Sequence, residues 1–172
     1  QLPANIFATG AGHVNPARAS NPGLIYDIEP KDYIPYFCGL NYTDKQVGLI
    51  LQRKVKCSEI SNIPEGQLNY PSFSVVVRSA VQKYTITVPN VGEASSVYHV
   101  QIVAPAGVNV RANPTMLSFT KVNQKLAYEV TFSPSGSANN IAVSQGSLTW
   151  HSSNSKYSVR SPIAAIFQAV GL

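Results

Sequence analysis

Residues 84–110 constrain the fold more than any other stretch. Tyr84, Ile86 and Val88 alternate with Thr85 and Thr87. After a polar break, Tyr98, Val100 and Ile102 alternate with His99 and Gln101. A period of two marks a half-buried strand, because successive side chains point to opposite faces. Asn90, Gly92, Glu93, Ala94 and Ser95 supply turn chemistry between the two runs. The stretch therefore reads as a β-hairpin with one wet and one apolar face. A lone hairpin is marginal in water, so the rest of the chain must supply sheet to cover it. Alternation from Leu68 onward does so: Phe73, Val75 and Val77; Val108, Val110 and Ala112; Leu117 and Phe119; Tyr128, Val130 and Phe132; Leu148 and Trp150; Tyr157 and Val159. Roughly seven or eight short strands, with turns about every ten residues, predict an antiparallel β-sandwich. Pro89 and Pro162 cannot donate to a ladder and are expected at edges or strand ends. No Cys–Trp–Cys pattern occurs in this part, which excludes an antibody-type domain.

The first 28 residues are different in kind. Gly10, Gly12, His13, Asn15 and Pro16 sit in a glycine-rich turn, and Asn15-Pro16 reads as the cap and first position of a short helix. Asn21-Pro22-Gly23 then stops it. Gly10 and Gly12 do not make a dinucleotide loop, because position 15 is Asn where that motif needs a third glycine. They are expected to let the backbone pass close to another element. Residues 29–59 read as helical. Tyr33, Ile34, Phe37 and Cys38 form one stripe, interrupted by Pro35, and Thr43 with Gln46 makes a capping-box pattern ahead of Val47, Ile50 and Leu51. Residues 60–71 are a polar linker.

Charged residues are only 12% of the 172-residue chain, about half the usual share. The net charge of +5 is dispersed, with Arg53, Lys54 and Lys56 the sole cluster, so neither a basic stripe nor a reading helix points to nucleic acid. No apolar run is long enough to span a bilayer. Gln1-Leu2-Pro3-Ala4 lacks the basic and apolar regions of a signal peptide. The chain is thus expected to begin inside something larger, or to have lost a leader. Cys38 and Cys57 fit one disulfide, stabilising by about 3 kcal/mol on the loop-entropy model, or two buried thiols. Asn41-Tyr42-Thr43 is a glycosylation acceptor, whereas Asn113-Pro114-Thr115 is blocked by its proline. Cysteine pair and triplet together suggest secretion. The three histidines, His13, His99 and His151, have no acidic neighbour in sequence, and no serine sits in Gly-x-Ser-x-Gly. Two cysteines without a histidine at ligand spacing make no zinc site. No catalytic residue, metal or cofactor is therefore assigned.

Gly10-Ala11-Gly12-His13-Val14-Asn15-Pro16, then Ala19 and Pro22-Gly23-Leu24-Ile25-Tyr26-Asp27, resemble the segment that closes the protease domain of plant subtilisin-like serine proteases, the cucumisin-like subtilases. Further matches are Asp32-Tyr33, Phe37-Cys38, Leu40-Asn41-Tyr42, Cys57, Leu68-Asn69-Tyr70-Pro71-Ser72-Phe73 and Asn90-Val91-Gly92. Ala104-Pro105, Gly107-Val108, Gly146-Ser147-Leu148-Thr149-Trp150 and Val159-Arg160-Ser161-Pro162-Ile163 complete the series, which spans essentially the whole chain. The resemblance implies a mainly β fold, an antiparallel fibronectin type III-like sandwich over 68–172. It implies a helical connector over 31–67 closed by Cys38 and Cys57, and a tail over 1–30 that completes a subtilisin-like α/β domain. The family's catalytic Asp, His, oxyanion-hole Asn and Ser all lie upstream of the glycine-rich segment, so none is carried over and His13 is not one of them. Ile86 stands where the family commonly has Arg, and Pro89 where it has Thr.

Two functions are expected from these residues. In the first, the chain is the C-terminal fragment of a secreted, extracellular subtilisin-like endopeptidase of the apoplast or cell wall, possessing no active site itself. It stabilises a catalytic chain that carries the triad, and Asn41 bears an N-linked glycan. Ile6, Phe7, Val14, Leu24 and Ile25 then need that partner's core. In the second, the chain is a stand-alone sandwich binding protein or carbohydrate through loops near Pro105–Gly107, Ser133–Asn140 and Ser152–Ser155. A released protease inhibitor is a weaker third, since no disulfide-braced loop supports it.

Overall fold

The structure, a computed structural model, describes residues 4–136 and 142–167. Two single-turn helices come first, α1 (Ile6–Thr9) and α2 (Pro16–Ala19). Each is capped by an asparagine: Asn5 Oδ1 accepts from the Phe7 and Ala8 amides, and Asn15 Oδ1 from the Arg18 amide. Pro16 takes the first helical position, where its missing N–H is no loss. Helices α3 (Tyr33–Gly39) and α4 (Asp44–Leu51) follow. Pro35 does not break α3, because it falls in the first turn, whose amides have no intrahelical partner. The Thr43–Gln46 capping box forms in both directions. Ile34, Cys38 and Val47 make a small core of their own with Phe37, Leu51, Val55 and Ile60 against it. Cys38 and Cys57 are joined in a disulfide at its side.

Eight strands follow: β1 (Phe73–Val77), β2 (Gln82–Pro89), β3 (Ser96–Val103), β4 (Val108–Asn113), β5 (Met116–Phe119), β6 (Lys125–Pro134), β7 (Val143–Ser152) and β8 (Ser158–Phe167). They form two facing sheets, one ordered β1-β8-β7-β3-β5 and the other β2-β6-β4. Trp150, Tyr98, Tyr128, Phe119, Phe132 and Ile86 fill the space between them.

Three strand expectations are corrected. β2 and β3 are not a hairpin. β2 pairs with β6, setting Tyr84 opposite Val130 and Ile86 opposite Tyr128, while β3 pairs with β5 and β7. Residues 90–95 form an arch from one sheet to the other, so Ile86 and Tyr98 meet across the core instead of along one face. The sandwich is also not wholly antiparallel, since β1 runs parallel to β8 from Phe73↔Ile163 to Val77↔Phe167. Pro162 lies inside a central strand, opposite Ser147 of β7. It is tolerated there because the β1 ladder begins only at the next residue, leaving that flank an edge.

The stretch Gly23–Asp27 is bound into the sandwich. Gly23 O accepts from the Val91 and Gly92 amides at 2.8 and 3.0 Å, and Leu24 bridges to Asn90. Leu24 is buried in the sandwich core, and the Tyr26 hydroxyl shares hydrogen bonds with Tyr128 Oη and Ser161 Oγ. Leu24 thus has its core within this chain and needs no other. Gly23 has φ +82°, and a Cβ there would stand 2.6 Å from the Tyr157 ring, so no other residue fits. Asn90, 0% exposed, holds the junction. Its Nδ2 donates to Glu93 O, its Oδ1 accepts from the Gly92 amide, its N–H donates to Gln124 O and its O accepts from the Asn123 amide.

Truncating Leu24 to Ala is expected to lower the urea-unfolding stability of the whole sandwich by about 2–5 kcal/mol, the usual range for a buried leucine. An unchanged midpoint would show that residues 23–27 lie outside the cooperative unit. Alkali gives a second check. Burial raises the hydroxyl pKa of Tyr26 and Tyr128, and pushes Tyr98 up to about 12. An unfolded tyrosine ionises near pH 10. Tyr98 therefore gives its full stabilisation below about pH 10 and loses it as pH climbs through about 12. The urea midpoint should fall over that window, and less steeply in Tyr98→Phe; equal slopes would remove Tyr98 from the account.

Candidate functional site

The groups able to do chemistry are spread out. All eight carboxylates lie on described residues, and most serve exposed pairs or helix ends. Asp27 meets Lys125 at 3.2 Å, Glu29 meets Lys31 at 2.8 Å, Glu59 meets Lys56 at 2.8 Å, Glu93 meets Lys156 at 2.8 Å and Glu129 meets Lys83 at 3.2 Å. Lys156 holds the Glu93 carboxyl below its usual range. Asp32 accepts from the Glu29 amide, and Asp44 from the Cys57 amide. His99 and His151 are exposed on strands β3 and β7, and His13 is exposed in the turn before α2. Among the described residues no group of three or more His, Cys, Asp or Glu could hold a metal. No described helix is long and apolar enough to cross a membrane.

Within the described residues of this chain the glycine-rich turn makes no close approach. Gly10 and Gly12 have φ of 53° and 107°, and a Cβ at either would meet nothing within 4 Å. Their positive φ is the backbone conformation that glycine adopts without strain. The turn overhangs a hollow of about 290 Å³, with Val103, Gly146 and Arg160 on its far wall. Neither α1 nor α2 buries a side chain; Phe7 is 60% and Val14 87% exposed. Two apolar side chains, Phe7 on the capped turn α1 and Val14 just ahead of α2, are thus held in water upstream of the strap at Gly23 that is fixed to the sandwich.

A second feature escaped the sequence pattern. β2 is an edge strand, and two side-chain amides from the linker pair with it as a further strand would. Gln67 Nε2 donates to Lys83 O and Gln67 Oε1 accepts from the Thr85 amide; Asn69 repeats this with Thr87 O and the Thr87 amide. Asn69 also donates to Asp27 O, so linker, strap and edge strand form one unit. A free edge is a template for unwanted pairing, and here it is closed. Between this edge and the turn at residues 27–35 lies a groove of about 440 Å³, of mixed polar and apolar lining, whose lysines, Lys31 and Lys125, are already paired.

The other sequence candidates are dispersed. Asn41 is exposed at φ 62° in the turn between α3 and α4. The three candidate loops do not converge. Pro105–Gly107 and the start of Ser133–Asn140 meet through the Ser135 amide and Gly107 O, while residues 137–140 lie outside the described residues. Ser152–Ser155 is at the opposite end of β3, where the Ser153 amide donates to Val97 O.

Comparison with known proteins adds the following. Residues 67–165 match the fibronectin type-III domain family. The chain is 43% identical over 169 residues to the subtilisin-like protease SBT1.2 of Arabidopsis thaliana, covering 94% of this chain and 22% of that protein. It is 40% identical to SBT1.7 of the same plant, covering 94% and 21%. The chain therefore spans about a fifth of the length of these relatives. Among solved structures, a FixG-related protein from Vibrio parahaemolyticus superposes with a TM-score of 0.43 at 11% identity, covering 53% of this chain and 82% of that one. With the match falling on the two-sheet sandwich, the chain belongs to the fibronectin type-III domain family, and nearly all of it is similar to one stretch of plant subtilisin-like proteases.

Proposed function

We propose that this chain is the C-terminal part of a secreted subtilisin-like serine endopeptidase, and that it supports a catalytic chain without breaking bonds itself. The observation that carries this reading is the split character of its N-terminal stretch. Gly23–Asp27 is locked to the sandwich, while α1 and α2 bury no side chain, and Phe7 in α1 and Val14 ahead of α2 face water. Such apolar groups gain from a partner surface. Identity that covers 94% of this chain but 22% of a protease agrees with a part acting within a larger whole.

In this reading residues 1–30 complete the protease domain, 31–67 are a connector stapled by Cys38–Cys57, and 68–172 are the buttress. Because Leu24 sits in the sandwich core and Tyr26 packs against it, the tail and the buttress share one root. Peptide-bond hydrolysis, through an acyl-enzyme on a serine activated by histidine, belongs to the companion chain. The disulfide suits an oxidising, extracellular setting, and exposed Asn41 is the glycan acceptor.

A denaturing gel with intact mass, run beside labelling by a fluorophosphonate serine probe, tests this on protein purified from its source. A second, larger chain that co-purifies and takes the label is expected. A single unlabelled species of 18.5 kDa would overturn the reading and leave a stand-alone sandwich.

A further inference from the structure

We propose that His151, His99 and Met116 form a copper-binding site on the outer face of the five-stranded sheet. The register brings them together: His99 stands directly opposite His151 across β3 and β7, and directly opposite Met116 across β3 and β5. Residues paired in this way share a face, with Cβ atoms about 4.5–5.5 Å apart. The three side chains therefore lie in one row over three adjacent strands. All three are exposed, Met116 by 50%, while their chain neighbours Tyr98, Trp150 and Leu117 fill the core behind them.

The donor set selects the metal class. Two imidazoles at that spacing can close on one ion, with metal–nitrogen bonds of about 2.0–2.1 Å. Imidazole suits zinc, nickel and copper, and a thioether favours the softer Cu(I). The row holds no carboxylate, so calcium and magnesium have no ligand of the kind they need. Among divalent first-row ions copper binds such donors most tightly.

One neighbour already orients a ligand. His151 Nε2 lies 3.0 Å from Gln101 Oε1. An amide oxygen only accepts, so the ring carries its proton on Nε2 and keeps its lone pair on Nδ1. Metal-bound histidines use their second nitrogen in this way. The ligands come from three separate strands and meet only in the folded sheet, so metal binding favours the folded state.

The test uses the full chain, titrated with Cu²⁺, with Cu⁺ kept reduced by ascorbate, and with Ni²⁺, each against a competing chelator. One copper per chain is expected, with nitrogen coupling in the Cu²⁺ electron paramagnetic resonance spectrum and a higher Tm when loaded. His99→Gln and His151→Gln should each weaken Cu²⁺ binding at least tenfold. Met116→Leu should weaken Cu⁺ about tenfold and leave Cu²⁺ and Ni²⁺ unchanged, and His13→Gln should change none of them. Metal-free Tm values near wild type would show that the exposed substitutions leave the fold intact. Binding equal in wild type and the H99Q/H151Q double variant would overturn the site. Cu⁺ binding unmoved in Met116→Leu would overturn the part given to the thioether.

Discussion

The sandwich hangs on one buried amide. Asn90 has no contact with water, yet each of its polar groups is bonded. Through it the strap at Leu24, the arch between the sheets and the turn before β6 become a single knot. A buried amide left without partners costs about 1–3 kcal/mol per lost bond, so this knot has only one good arrangement. That requirement fixes where the chain leaves one sheet and enters the other. It also fixes how closely Gly23 and Gly92 pass Tyr157.

Around that knot the molecule divides by commitment. From Gly23 onward most large apolar groups have found cover, in the main core or in the small core under the disulfide. Among the described residues before Gly23 none has been buried. The same backbone thus holds a covered sandwich and an exposed N-terminal stretch. Fibronectin type-III architecture accounts for the first, and similarity to a stretch of much longer proteases frames the second.

The amino-acid pattern carries the strands well, because alternation such as Tyr128, Val130, Phe132 is a direct image of a pleated, one-sided sheet. The helix start at Asn15-Pro16 and the box at Thr43 are equally visible, since capping is a contact between near neighbours. Pairing is not visible. Period two says that residues 84–88 and 98–102 are strands but not whose neighbours they are, and the polar break between them suits an arch as well as a turn. Leu24 and Tyr26 sit in no periodic run, so nothing local announces that they belong to the sandwich. Gln67 and Asn69 look like linker residues until the edge they cover is located. His99 and His151 stay two unrelated histidines until register sets them opposite one another.

The parallel pairing of β1 with β8 has a mechanical meaning. These are the first and last strands of the sandwich, side by side and pointing the same way. Tension entering before Phe73 and leaving after Phe167 pulls them lengthwise past each other. All the bonds from Phe73↔Ile163 to Val77↔Phe167 are then loaded in shear at once, instead of opening one by one. Forced unfolding is governed by a rate, not by equilibrium stability. The fold therefore meets stretching along its own axis as a clamp, whatever its stability at rest.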